Sequence, residues 1–234
     1  LFLATVDVEV ATGKTKCTSE YTSGKKTQQI NWAWESGAWV NSDKEVWAYT
    51  SGKLTLNEKY NWVNGAWVGS EKEEWEYTSG KNTLHATYAW YQGDWVVSGR
   101  EGYDLADNQT LVETYTITAT SYKGSKKEEY TFNAAGKMTS KITYKWNTTN
   151  KVWVSNIWTV TDYDAQGNLI ENCKYLWVSN DWKGSGERML KEFNSDNKEI
   201  DWIQQEWSTD IKGWLNKTRM TTTYVGGKMT QEAD

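Results

Sequence analysis

From Lys53 to Tyr77 the chain alternates with a period of two. Counted across the loop at residues 63–66, Leu54, Leu56, Tyr60, Trp62, Trp67, Trp75 and Tyr77 fall on one face, and Lys53, Thr55, Asn57, Lys59, Ser70, Lys72, Glu74 and Glu76 on the other. A period of two belongs to a strand, whereas a helix would repeat at 3.6. The pattern predicts antiparallel sheet with one apolar and one solvated face. Bulky residues mark the mouth of each hairpin. Trp34, Trp62, Trp90, Ile117, Trp146, Trp177 and Trp207 end a first strand, and Trp39, Trp67, Trp95, Tyr122, Trp153, Trp182 and Trp214 begin the second, at steps of 5, 5, 5, 5, 7, 5 and 7. All are odd, so a short loop such as Val63-Asn64-Gly65-Ala66 sets Trp62 opposite Trp67 as a cross-strand pair. From the second member to the large apolar residue that closes its strand the step is ten, as in Trp67 to Tyr77 and Trp95 to Leu105; only Trp182 to Phe193 is eleven, where a β-bulge is expected. Ten is even, which predicts that both ends of the strand share one face.

The pattern repeats. Units open at Tyr21, Tyr49, Tyr77, Tyr103, Phe132, Tyr163, Phe193 and Tyr224, spaced 28, 28, 26, 29, 31, 30 and 31 residues apart, with a partial unit before Tyr21. No linker or composition break interrupts them, so residues 1–234 read as one continuous domain. The far turns come in two sizes: a two-residue Ser-Gly turn, as in Thr50-Ser51-Gly52-Lys53, and a longer one with Gly in the left-handed region, as in Asp164-Ala165-Gln166-Gly167-Asn168. The chain has 234 residues and no Pro, where ordinary usage would give roughly a dozen. Pro cannot donate to a ladder, and a long meander uses nearly every amide. The expected fold is all-β: a single antiparallel meander of about eight hairpin repeats and about 17 strands. A flat sheet of that width must curl, giving a half-pipe, a superhelical sheet or a barrel with the aromatic face inside.

Two residues past each second aromatic stands Asn41, Gly69, Val97, Gly124, Ser155, Gly184 or Asn216. A glycine among large cross-strand neighbours makes a slot for an indole, or marks a local bulge. Carboxylates interrupt the middle of the apolar face in the first three units: Asp43, Glu45, Glu58, Glu71, Glu73 and Glu101. Ile142, Tyr144, Ile157 and Cys173 occupy comparable depth later. Unpaired carboxylates are rarely buried, so the N-terminal half of this face is expected to be wet and the C-terminal half drier. Trp34, Trp39, Trp62, Trp67, Trp90, Trp95, Glu58, Glu71, Glu73 and Glu101 form the candidate binding groove, because rings beside carboxylates suit sugar stacking. The competing reading is cross-strand packing that holds a thin sheet together.

A net charge of −5 gives no basic footprint for nucleic acid. One His and two Cys exclude a conventional zinc site, and no metal or other cofactor is expected. His85 reads as a surface residue without a partner, beside Thr83 and Thr87. Cys17 and Cys173 read as small buried hydrophobes on the apolar parity, able to pair only if the sheet closes on itself. The Asp104–Asn108 and Asp164–Asn168 turns offer oxygens as calcium sites do, yet turns use the same residues anyway. No apolar run approaches the ~18 residues of a membrane-spanning helix. The chain does not begin with Met, and a removed export signal leaves no trace in it.

Tyr163–Glu171 (YDAQGNLIE), Phe132–Ser140 (FNAAGKMTS) and Tyr49–Thr55 (YTSGKLT) resemble the tyrosine–aspartate repeat of the RHS type, Tyr-Asp-x-x-Gly-Asn-Leu, which Tyr163 to Leu169 matches in full. The Trp-rich longer unit is similar to secreted or surface repeat proteins of Bacteroidetes that carry a domain of unknown function. The resemblance implies export, with the protein placed in the periplasm, at the cell surface or outside the cell, and a role in binding or scaffolding without chemistry. Three readings of function follow: a non-enzymatic scaffold for a protein or glycan partner, a carbohydrate-binding groove in residues 30–101, and, remotely, a glycoside hydrolase using a carboxylate pair such as Glu71 and Glu73.

Overall fold

The computed structural model describes residues 6–8, 15–225 and 228–233. Residues 1–5, 9–14, 226–227 and 234 lie outside them. Among the described residues all regular structure is antiparallel strand. The chain divides into two compact units, residues 1–125 and 126–234. Unit 1 holds β1 (Val6–Val8), β2 (Thr15–Thr22), β3 (Lys25–Glu35), β4 (Ala38–Thr50), β5 (Lys53–Val63), β6 (Ala66–Thr78), β7 (Lys81–Tyr91), β8 (Asp94–Tyr103) and β9 (Gln109–Thr118). Strand β10 (Ser121–Phe132) crosses the division. Unit 2 continues with β11 (Met138–Asn147), β12 (Val152–Tyr163), β13 (Leu169–Val178), β14 (Asp181–Gly184), β15 (Glu187–Phe193), β16 (Glu199–Ser208), β17 (Gly213–Val225) and β18 (Lys228–Ala233). Each strand pairs with its neighbours in sequence. The exception is β13, which takes β14 and β15 together as one interrupted partner. Within each unit the first and last strands do not pair among the described residues, so each is an open sheet and not a barrel.

The turns explain why the chain folds back where it does. Ser23-Gly24, Ser51-Gly52 and Ser79-Gly80 at one end, and Ser36-Gly37, Asn64-Gly65 and Gln92-Gly93 at the other, have positive φ at both residues. That is the type I′ geometry whose twist matches the strands it joins. The longer turns are closed by an Asx side chain instead. Asp164 Oδ1 accepts from the Gln166 and Asn168 amides at 3.0 and 2.8 Å, and Asp104 does the same for Ala106 and Asn108 at 2.8 and 2.9 Å. These oxygens are committed to backbone donors; among the described residues no three His, Cys, Asp or Glu side chains gather to hold a metal.

Register confirms the hairpin mouths and revises the strands beyond them. Trp34↔Trp39, Trp62↔Trp67, Trp90↔Trp95, Trp146↔Trp153, Trp177↔Trp182 and Trp207↔Trp214 are direct cross-strand partners. Just beyond, the second strand carries one unpaired extra residue. Lys59 faces Glu71 while Tyr60 faces Gly69, leaving Ser70 over. Ser42, Ser98, Asn156 and Lys217 are surplus in the same way. After Gly184 the strand breaks altogether, where a simple bulge was expected. A bulge of one residue exchanges the faces of everything after it. The ten-residue step from Trp67 to Tyr77 therefore joins opposite faces, correcting the expectation that both ends share one. One face carries the tryptophan pairs together with Tyr60, Glu58, Lys72 and Glu74; the other carries Trp47, Tyr49, Trp75, Tyr77, Glu71 and Glu73. They are called here the tryptophan face and the tyrosine face.

Neither face is a dry interior. Among the described residues Ala86 and Cys173 are the buried hydrophobic side chains, and Trp34 and Trp39 remain 38% and 39% exposed. The expected aromatic core is replaced by side-chain lattices on a single layer of sheet.

Candidate functional site

On the tryptophan face each pair meets edge to face, with centroids 5.2, 4.9, 5.1, 5.1, 5.0 and 5.4 Å apart in chain order. Such contacts contribute about 0.5–1.5 kcal/mol beyond the area they cover. The pairs are also linked from hairpin to hairpin. Tyr60 and Gly69 are cross-strand partners, and the next pair seats on them: Tyr60 lies 6.2 Å from Trp90 and 5.7 Å from Trp95, whose Nε1 donates to the Tyr60 hydroxyl at 3.1 Å. A Cβ on Gly69 would stand 2.5 Å from Trp95 Cζ2 and closer still to Trp90. Gly69 is thus both an indole slot and the residue next to the bulge, uniting two readings that the sequence left as alternatives.

Beneath the pairs runs a polar row. The Tyr60 hydroxyl donates to Glu58 Oε2 at 2.7 Å, and Lys44 stands 4.1 Å over the Tyr60 ring. Lys72 bridges Glu58 and Glu74 at 3.1 and 3.0 Å, and the Tyr88 hydroxyl donates to Glu74 at 2.5 Å. Burial alone would push the Glu74 carboxyl up; the Tyr88 hydroxyl and the Lys72 ammonium outweigh it and hold the carboxyl below its usual range. Burial, then the hydrogen bond to Glu74, raises Tyr88.

The structure divides the candidate groove. Trp34, Trp39, Trp62, Trp67, Trp90, Trp95 and Glu58 share the tryptophan face. Glu71, Glu73 and Glu101 point from the tyrosine face, because the bulges at Ser70 and Ser98 precede them. There Lys59 Nζ donates to Glu71 Oε2 at 2.6 Å, Asn31 Nδ2 to Asp43 at 2.6 Å, Asn57 Nδ2 to Glu45 at 2.9 Å, and the Tyr103 hydroxyl to Glu101 at 2.9 Å. The hydrogen bond from Lys59 depresses the Glu71 carboxyl. A glycosidase general acid needs the opposite displacement.

His85 is not solitary. Its ring stacks on Trp75 at 5.4 Å with an interplanar angle of 6°, and Nε2 lies 2.8 Å from Glu73 Oε2. The partner was invisible while Glu73 and Trp75 were assigned to the opposite face. Cys17 and Cys173 are free thiols; Cys17 is paired in register with Asn31 on the tyrosine face, not on the tryptophan face with Cys173.

A further device on the tyrosine face was not anticipated. Lys25 caps the Tyr49 ring at 4.5 Å and donates to the Gly52 carbonyl of the next turn. Lys53 does so for Tyr77 (4.7 Å) and Gly80, and in unit 2 Lys137 for Tyr163 (4.8 Å) and Gly167. Its sequence signal is a lysine directly after the turn glycine, as in Thr-Ser-Gly-Lys at Thr22 and Thr50 and Ala-Gly-Lys at Lys137; after the third Thr-Ser-Gly, at Thr78, Lys81 instead donates to Asp107 at 2.7 Å.

No family model matches the chain, and no curated protein matches it. Among solved structures the chain is similar to a DUF3836 family protein from Bacteroides vulgatus, at 15% identity and a TM-score of 0.30 over 36% of this chain and 90% of that one. It is similar to a protein with unknown function from Bacteroides fragilis at 13% identity and a TM-score of 0.26, over 64% of this chain and 94% of that one. A TcdB2-TccC3-Cdc42 structure aligns with 94% of this chain at 10% identity and a TM-score of 0.31, and the alignment covers 14% of that chain. Among the described residues no helix is long and apolar enough to cross a membrane.

Proposed function

We infer that this is a non-enzymatic binding or scaffold protein, exported from the cytoplasm, that acts through the surfaces of its repeats. One observation carries the reading: among the described residues the sheet buries only Ala86 and Cys173 as apolar side chains, so each face of every hairpin is a potential contact surface. A chain that ordered its aromatics for stability alone would gain more by folding them into a dry core, since the hydrophobic contribution scales with apolar area removed from water. Here polar rows are interleaved with rings on both faces, a composition suited to recognition. The depressed Glu71 carboxyl supports a role without acid catalysis.

The test is a binding screen of the purified chain, immobilised through its C-terminus, against defined glycans, peptidoglycan fragments and purified surface proteins. Saturable binding of one class, with no turnover by the parent chain or by Glu71→Gln and Glu73→Gln, is the expected result. Turnover of aryl glycosides that those two substitutions abolish would replace this reading with a hydrolase. Cell fractionation tests export, with the protein expected outside the cytoplasm.

A further inference from the structure

A cavity of 450 Å³ lies in unit 1 beside Trp75 and Tyr77 of the tyrosine face, lined also by Thr50, Ser51, Lys53, Thr55 and the carboxylate residue Glu76. Its size lies within the range of about 300–1,000 Å³ typical of small-ligand sites. Trp75 reaches it because the bulge at Ser70 turns the indole away from the tryptophan pairs. His85 lies flat against one side of that indole and is itself tied to Glu73, so the ring that lines the cavity is held in place. Lys53 is anchored to the Tyr77 ring and the Gly80 carbonyl. The three hydroxyl residues, Thr50, Ser51 and Thr55, line the same cavity.

The residue set recurs, with Asn57 in place of His85 across from the indole and Lys26 5.5 Å over the Trp47 ring. Twenty-eight residues upstream stand Thr22, Ser23, Lys25, Thr27, Trp47 and Tyr49, identical in type at all six positions. Lys25 caps Tyr49 as Lys53 caps Tyr77. One repeat is two strands, so the two sets sit about 9.6 Å apart across the sheet. A periodic pair of sites fits a periodic ligand, and that interval is the length scale of a disaccharide in an extended β-linked chain. A fixed indole ringed by hydroxyls suits the C–H face and hydroxyl groups of a sugar. The same face carries the carboxylates of Asp43, Glu45, Glu71 and Glu73 together with the ammoniums of Lys25, Lys26, Lys53 and Lys59, so its charges offset one another and favour an uncharged ligand.

We propose that the tyrosine face of unit 1 binds an extended, neutral, β-linked oligosaccharide, with Trp75 and Trp47 as successive stacking platforms. The proposal rests on the binding role above and names its ligand class; it moves the saccharide site from the tryptophan pairs to the opposite face.

The experiment titrates cellohexaose, β-1,4-mannohexaose and xylohexaose into the isotope-labelled full chain, with hexagalacturonate as the acidic arm. One neutral hexamer is expected to shift the indole resonances of Trp75 and Trp47 and to leave those of Trp62, Trp67, Trp90 and Trp95 in place. Trp75→Ala is expected to weaken binding at least about tenfold, and Trp75→Phe by less, since a ring is retained. The hexamer should bind about tenfold or more tighter than the disaccharide, a gain that Trp47→Ala removes. Because the resonance pattern is read on the unaltered chain, misfolding of a variant leaves the test intact. Silence from all three neutral hexamers at millimolar concentration, perturbation of the tryptophan pairs alone, or binding of hexagalacturonate alone would overturn the proposal. A protein ligand captured without any glycan would leave the binding role standing and remove the saccharide.

Discussion

The hairpin β5–β6 in unit 1 and its counterpart β13–β14 in unit 2 use one aromatic plan over two different polar rows. In both, a tyrosine faces a glycine: Tyr60 opposite Gly69, and Tyr175 opposite Gly184. Both pairs receive the indoles of the following hairpin. Trp214 Nε1 donates to the Tyr175 hydroxyl at 3.3 Å, as Trp95 does to Tyr60, and a Cβ on Gly184 would lie 2.7 Å from Trp214 Cζ2. Two residues before the tyrosine the hairpins part. Unit 1 has Glu58, bridged by Lys72; unit 2 has Cys173, 1% exposed and with its thiol pushed up by burial, beside an Arg188–Glu171 pair at 2.9 Å. The ring lattice is what repeats, and the row beneath it is free to diverge. The drier C-terminal half expected from Cys173 is real at that thiol, yet Arg188 and the bidentate Arg219–Asp201 pair keep the same face charged nearby.

If the lattice carries stability, equivalent substitutions must cost the same in both units. Trp95→Ala and Trp214→Ala are each expected to lose about 3 kcal/mol in urea unfolding followed by circular dichroism; a gap above about 2 kcal/mol between them breaks the equivalence. Gly69→Val and Gly184→Val should each cost about 2–3 kcal/mol, since the indoles must leave their slots, with hydrogen exchange rising first at the following hairpin. Exchanging the divergent residues sharpens the contrast. Cys173→Glu is expected to cost about 2 kcal/mol by placing a carboxylate in a buried position beside Glu171, whereas Glu58→Cys costs about 1 kcal/mol because Lys72 keeps Glu74.

The smallest effect is confined to acid. Burial would raise the Glu128 carboxyl, but the Tyr130 hydroxyl and the ammoniums of Lys141 and Lys126 bring it down from 4.5 to about 2. A carboxyl depressed in the folded state stabilises fully above its unfolded value, and that contribution is lost as pH falls from 4.5 toward 2. Glu128→Gln should therefore flatten the pH dependence of the thermal midpoint within that window and leave the slope near neutrality unchanged. An unchanged acid limb would show that the ion pairs of unit 2 do not hold this carboxyl down.

Trp62 and Trp67 were legible as neighbours because only a two-residue turn lies between Val63 and Ala66, leaving no room for an unpaired residue. The same counting failed for Glu71, Glu73, Trp75 and Tyr77. Their spacing from Trp67 counts residues, while the face depends on rungs of the ladder, and Ser70 occupies no rung. The clue was present at the position of Gly69. The bulge follows this position whether it holds Gly69, Asn41, Val97, Ser155 or Asn216, and glycine is required only where two indoles close on it, as at Gly69. The partnership of His85 with Glu73 and Trp75 was lost to the same reversal. The lysine caps escaped notice because a lysine after a Ser-Gly turn is ordinary, and its target lies a full repeat away.

Those lysine clasps bear on how such a chain can change in length. Lys25 engages the turn that contains Gly52, and Lys53 the turn that contains Gly80, each reaching one hairpin onward and no further. Copying a 28-residue segment would therefore supply a new hook together with the eye it fastens to, and excising one would leave matching ends behind. Between Lys25 and Gly80 the clasp is therefore a part that a duplicated hairpin carries along with it.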